Sequence, residues 1–200
     1  MRKLSISRSV AFLAVLAAVM FGVVGTASVG QTDASDSSRL AHAVVKDVNG
    51  VTLGTVSFFS SNGKIAVSGR LTGIAAGFHG FHVHAVGICD PRATDPTGAV
   101  VPFASAGPHL DAGGHTHGSH SGDLPSLLVN TDGTTVTATA TDRLSSALLF
   151  DADRSAIIIH AGTDNFANIP TRYSATGPDA ATLATGDSGA RFACGVFVRG

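Results

Sequence analysis

The chain has 200 residues, of which 14% are charged, and a net charge of −1 with histidine neutral. That balance excludes nucleic acid and anionic membrane surfaces as expected partners. The length suits one folded domain with room for a targeting segment.

The targeting segment is legible at the N-terminus. "MRKLSISRS" is basic without an acid, "VAFLAVLAAVMFGVVG" is an unbroken apolar run, and "GTASVG" supplies small residues for cleavage. Residues 1–27 are therefore expected to be a secretory signal. The alternative is a retained anchor, since residues 10–25 approach the ~17 to 25 residues that span a bilayer. A lipid anchor at the cleavage point would need a cysteine there, and the first is Cys89. The mature protein is thus expected outside the cytoplasm, secreted or associated with the cell envelope. Residues 28–40, "SVGQTDASDSSRL", read as a flexible polar tether to a domain over residues 41–200. The only two cysteines of an exported chain, Cys89 and Cys194, are expected to form one disulfide. In the chain-entropy model a closed loop of ~100 residues is worth about 4.7 kcal/mol.

Within the domain the pattern is all-β. "HAVVKDVNG", "VTLGTVSFFSSNG" and "KIAVSGRLTG" are rich in β-branched residues and separated by Asn-Gly turns at 49–50 and 62–63. A fourth strand, "FHGFHVHAV", precedes "LPSLLVN", "TTVTATATD", "SAIIIHAG" and "RFACGVFVRG". Eight strands with almost no helical periodicity predict a β-sandwich or flattened barrel. Residues 87–123 and 162–190 are Gly/Pro/Asp-rich loops far longer than the usual connection, so they are expected to build a site on the scaffold.

Strand parity sorts the first histidines. Residues two apart share a face, so His82 and His84 point together and His79 points away, suited to bracing a loop by hydrogen bonds to backbone. An H-x-H pair alone is weak evidence of a metal site. "SAGPHLDAGGHTHGSHSGD" adds His109, His115, His117, His120 and Asp123, and "AIIIHAG" ends an apolar strand with His160. A floppy histidine-rich tract would account for the loop but not for His160. Imidazoles with one carboxylate suit zinc or copper and not magnesium or calcium.

The landmarks "GFHGFHVHAVG", "SAGPH", "HSGDLPSL", "AIIIHAGTDN" and "GDSGARFACGV", in this order and spacing, make the domain resemble the copper/zinc superoxide dismutases. "NFANIP" makes it similar to the exported actinobacterial members. The resemblance implies a Greek-key sandwich that dismutes superoxide to oxygen and hydrogen peroxide with copper and zinc. It implies His82, His84, His109 and His160 as copper ligands, with His109 bridging to a zinc held also by His117, His120 and Asp123. His117 is chosen over His115 because it is followed by glycine and stands eight residues after His109, as in the family. Asp164 corresponds to the carboxylate that bonds one ligand histidine on each metal. Arg191 corresponds to the arginine that attracts and orients the anion, and with His109 completes the catalytic pair.

Three departures accompany the resemblance. The segment from His109 to Asp123 is shorter than the family's, which brings His117 and His120 closer together. Ile88 and Phe197 replace residue types the family prefers. The second loop has no lysine, leaving Arg191 to carry most of the steering of the superoxide anion. A homodimer is compatible with the resemblance, and no obligate protein partner is indicated. The rival readings are an exported copper carrier without catalysis on the same fold, and a zinc hydrolase with an open water site.

Overall fold

Turn chemistry sets the first three strands of the structure, a computed structural model that describes residues 38–200. The expected signal and all but the end of the expected tether lie outside the described residues. Strand β1 (Arg39–Asp47) begins two residues before the expected start of the domain. It turns into β2 (Thr52–Ser61) where Asp47 Oδ1 accepts from the backbone of Asn49 and Val51 at 2.9 and 2.8 Å. β2 turns into β3 (Lys64–Leu71) through Asn62 and Gly63, whose φ values of 49° and 76° are the successive left-handed pair of a type I′ hairpin. Along β3, Ile65, Val67 and Leu71 are buried at a period of two, so one face is core.

The expected fourth strand is split into β4 (Gly77–His79) and β5 (Phe81–His84) at Gly80. Gly80 donates to Gly162 O and accepts from His160 N, both at 2.9 Å. A Cβ there would lie 2.6 Å from Ser188 Cβ, so only glycine permits this approach. β6 (Leu127–Val129), β7 (Thr135–Thr141) and β8 (Ala156–His160) follow. The last expected strand is split into β9 (Arg191–Val196) and β10 (Val198–Arg199) by Phe197, which is fully buried and meets Phe58 edge-on at 4.6 Å.

Two helices of four and six residues depart from the all-strand expectation, being too short to show an apolar period. In α1 (Ser146–Leu149) the Ser145 hydroxyl accepts from Leu148 N, and in α2 (Ala180–Thr185) the Asp179 carboxylate accepts from Thr182 N. Among the described residues no helix is long and apolar enough to cross a membrane.

The strand order is β5-β8-β9-β1-β2-β3-β7, with β10 beside β1 and β4 paired to β6, all antiparallel. Within the main sheet β3 is followed in the chain by β5, and β7 by β8, each time across strands that lie between them. These crossovers give the curled sheet its Greek-key connectivity.

Pairing register then separates two layers. Phe81, Val83, Ile157, Ile159 and Ala193 enter the main core between the curled faces. On the opposite face of the same strands, His82 pairs with Ile158, His84 with Ala156, and Ile158 with Cys194. Phe103 and Ala106, from a 3₁₀ turn in the first long loop, cover Ala156, Ile158 and Cys194 there. The functional histidines thus sit outside the barrel and beneath the loops.

The Cys89–Cys194 disulfide fastens that cover to β9 across a sequence separation of 105, with Cα atoms 5.7 Å apart. Cys194→Ser is expected to lower stability by about 2–5 kcal/mol under oxidising conditions. Thermal melting with and without reductant checks this: both proteins should melt alike once reduced, and identical oxidised curves would contradict the role.

Candidate metal centre

Four imidazoles converge because four separate segments are held in register. His82 and His84 occupy the outer face of β5. His160 ends β8 at a register shift and pairs with Arg191 at the start of β9. His109 lies in the first loop, whose backbone is stitched to β5 by a bridge between His84 and His109 and by Leu110 N to Val83 O at 2.8 Å. One donor atom from each of the four lies within 4.8 Å of all the others.

The hydrogen bonds decide which nitrogens face inward. His82 Nε2 donates to Asp164 Oδ2 at 2.6 Å, His84 Nδ1 to Gly107 O at 2.9 Å, and His160 Nδ1 to Gly189 O at 3.0 Å. The opposite nitrogens, His82 Nδ1, His84 Nε2 and His160 Nε2, are buried with no hydrogen-bond partner among the described residues. Each therefore presents a lone pair, and leaving such a group unsatisfied costs about 1–3 kcal/mol. A cation resolves all three at once, and an all-imidazole set suits copper or zinc. Burial also lowers the His84 pKa well below its ordinary value, that of His109 to about 4 and that of His160 to about 3, with neighbouring imidazoles adding to the effect. The rings remain neutral and able to bind metal at neutral pH.

A second group of donors, His109, His117 and Asp123 with His82 beside them, adjoins the first. Asp123 Oδ1 is 3.0 Å from His109 Nδ1 and 3.3 Å from His117 Nδ1. Its Oδ2 accepts from Gly118 N and His120 N at 2.8 and 3.0 Å, which fixes the carboxylate. Burial disfavours the charged form of His117, but its bonds to Asp123 and Asp164 outweigh burial and raise its pKa to about 9. The same contacts hold both carboxylates below their ordinary range against the opposing effect of burial. His120 stands at the margin. Its ring lies 5.4 Å from that of His109 and 5.6 Å from that of His117, with a buried, unpartnered Nδ1 3.3 Å from Asp123 Oδ2. His115 is exposed and bonded to Asp111 at 2.7 Å, away from these groups, so of the two candidates it is His117 that enters the cluster.

Asp164 ties the halves together. Its Oδ1 accepts from His117 Nε2 at 2.7 Å while its Oδ2 holds His82, and the carboxylate is fully buried. The left-handed Gly186, φ 61°, ends α2 directly above this bond, where a Cβ would fall 2.1 Å from Asp164 Oδ1. His79 lies apart from the donor set, its Nδ1 against His160 O and its Nε2 against Ala75 O, both at 2.8 Å, bracing the end of β8.

A cavity of about 430 Å³ opens onto the first group, lined by His84, His109, His160, Thr185, Asp187 and Arg191. Arg191 is held half-buried in it by bonds from Nη1 to Phe103 O and from Nη2 to Gly107 O. The carbonyls of Phe103, Gly107 and Gly189 escape sequence reasoning because every residue carries one, so no side-chain signal marks them.

A β-sandwich carrying buried, anchored imidazoles on its outer face, with the rings of His82 and His109 common to two donor groups, defines a metalloprotein with adjoining sites. The copper/zinc superoxide dismutase family model matches residues 52–197. A copper/zinc superoxide dismutase of Mycolicibacterium paratuberculosis is 46% identical over 165 residues, covering 78% of this chain and 73% of its own. One from Mycobacterium tuberculosis is 42% identical over 180 residues, covering 86% and 75%. Among solved structures, the Cu/Zn superoxide dismutase from Brucella abortus superposes with a TM-score of 0.60 at 30% identity, covering 78% of this chain and 98% of that one. The chain belongs to the copper/zinc superoxide dismutase family.

Two outcomes test this geometry. Asp164→Asn leaves only one acceptor for two imidazole N–H groups, so metal affinity should fall about 10- to 100-fold. Chelator competition reads this, and an unchanged constant would contradict the linking role. In the metal-free protein, His84, His109 and His160 have folded pKa values depressed below the unfolded 6.5, so their contribution is present above pH 6.5 and is lost as pH falls through about 4 to 3. His117 is protonated in both states over most of that range and adds little slope. Each proton taken up on unfolding removes about 1.4 kcal/mol per pH unit. Denaturant melts of metal-free protein between pH 7 and 4 should therefore show falling stability, and a flat profile would contradict burial of neutral rings.

Proposed function

We propose that this chain dismutes superoxide outside the cytoplasm, converting two superoxide ions and two protons into oxygen and hydrogen peroxide. Copper is held by His82, His84, His109 and His160, and zinc by His109, His117, His120 and Asp123. The observation that carries this reading is His109, which shares with His82 a place in both donor groups and alone of the two has a ring nitrogen, Nδ1, against Asp123 and His117. Family membership and the curated relatives support the activity. The basic, apolar, small-residue leader supports export, and a disulfide in the domain is in keeping with an oxidising compartment.

Bound copper supplies the one-electron oxidation and reduction that the two halves of the reaction need. The chain's own residues do the rest. Arg191 offers a fixed cation at the mouth, where an entering anion is bound and oriented. Asp123 and His117 engage His109 at Nδ1, leaving its Nε2 to hold a proton and deliver it to the reduced oxygen. Asp164, Gly107 and Gly189 each take an outward N–H, so the anchored rings keep their orientation throughout turnover. The covering loops keep all but the mouth of the site from water.

A superoxide-decay assay on purified protein, with copper and zinc analysis, tests the proposal. Copper-loaded protein without activity would instead favour the carrier. Arg191→Ala should retain copper but lower the second-order rate by about tenfold and flatten its dependence on salt; an unchanged rate would overturn the role given to Arg191.

A further inference from the structure

The mouth of the site carries one charged side chain that the proposed reaction does not use. Asp187 lines the same cavity as Arg191, His84, His109 and His160, and it is exposed. Among the described residues these two are the only charged ones in the lining, the histidines there being buried. Among the described residues no arginine or lysine nitrogen lies within 4.0 Å of the Asp187 carboxylate, so its charge is not cancelled locally. A carboxylate at the entrance repels a small anion that Arg191 attracts.

The carboxylate nevertheless has a structural task. Its Oδ2 accepts from Asn165 Nδ2 at 2.6 Å and from Thr182 Oγ1 at 2.9 Å. Asn165 follows Asp164 directly, and its own N–H bonds Gly186 O at 2.9 Å. Thr182 belongs to α2, whose Leu183 carbonyl accepts from His117 N at 2.7 Å. Asp187 thus fastens α2 to the segment carrying Asp164, with Gly186 seated over the bond between Asp164 and His117. It does so from a left-handed backbone, φ 53°, which a non-glycine residue adopts only when its surroundings hold it there.

We infer that Asp187 is a specificity-determining residue at the mouth: its carboxylate orders α2 over the donor cluster and, by its charge, limits the entry of anions to the site. The inference rests on the proposed copper site but not on dismutation itself. Asparagine keeps the size and one acceptor oxygen while removing the charge. A unit charge at the rim of a water-filled mouth changes the local concentration of a monovalent anion by about twofold.

The test is azide titration of copper- and zinc-loaded protein, followed by the visible absorption of copper, together with the superoxide-decay rate. Asp187→Asn should bind azide about twofold more tightly at low ionic strength, and the gain should vanish near 1 M salt, where the Debye length is about 3 Å. The second-order rate should rise by the same factor. If Asp187→Asn does not retain copper, Asp187→Gly, which suits the left-handed backbone, removes the same charge and is read in the same way. Azide affinity equal to or weaker than that of the unsubstituted protein overturns the inference. A copper-loaded protein without dismutation would refute the proposed function yet leave the azide comparison intact.

Discussion

A buried imidazole has two ring nitrogens to satisfy, and the site depends on satisfying only one of them with protein. Asp164, Gly107 and Gly189 each take one N–H from His82, His84 and His160, which fixes the tautomer and turns the remaining lone pairs inward. Without those acceptors the rings would be free to rotate, and the cluster would have no defined centre. Burial disfavours the charged imidazolium, and at His84 and His160 it outweighs the bonds to the Gly107 and Gly189 carbonyls, which favour the charged form.

That constraint explains why so much chain lies outside the regular strands. The acceptors come from both long loops, and loops of this length stay ordered only if something fastens them. The first is fastened by the Cys89–Cys194 disulfide, by Phe103 and Ala106 packed on β8 and β9, and by Arg191 reaching the carbonyls of Phe103 and Gly107. The second is fastened by α2 and the bonds of Asp187 and Asp164. Arg191 shows the economy of the arrangement, since the guanidinium that offers charge to an anion also ties down the loop carrying His109.

Much of the architecture was legible in the residues. Alternation in "KIAVSGRL" and the Asn62-Gly63 turn marked strands and a hairpin, and parity separated His82 and His84 from His79. The breaks at Gly80 and Phe197 were not legible, because each is imposed by a distant partner: Ser188 against Gly80 and Phe58 against Phe197. The short helices were hidden for a different reason, four to six residues being too few to display an apolar period. In "GGHTHG" only the family's spacing favours His117 over His115, and packing supplies the physical difference, one bonded to Asp111 at the surface and the other to Asp164 in the interior.

The sequence by itself determined the all-β class, the pairing of the two cysteines and the residue types able to hold metals, because these follow from local periodicity, count and side-chain chemistry. The tertiary structure alone decided which ring nitrogen faces inward, that His120 stands at the margin of its group, and that Arg191 and Asp187 share one entrance. Those outcomes rest on backbone carbonyls and on the meeting of segments far apart in the chain. A carbonyl has no residue identity to read, and a long-range distance exists only once the strands have paired.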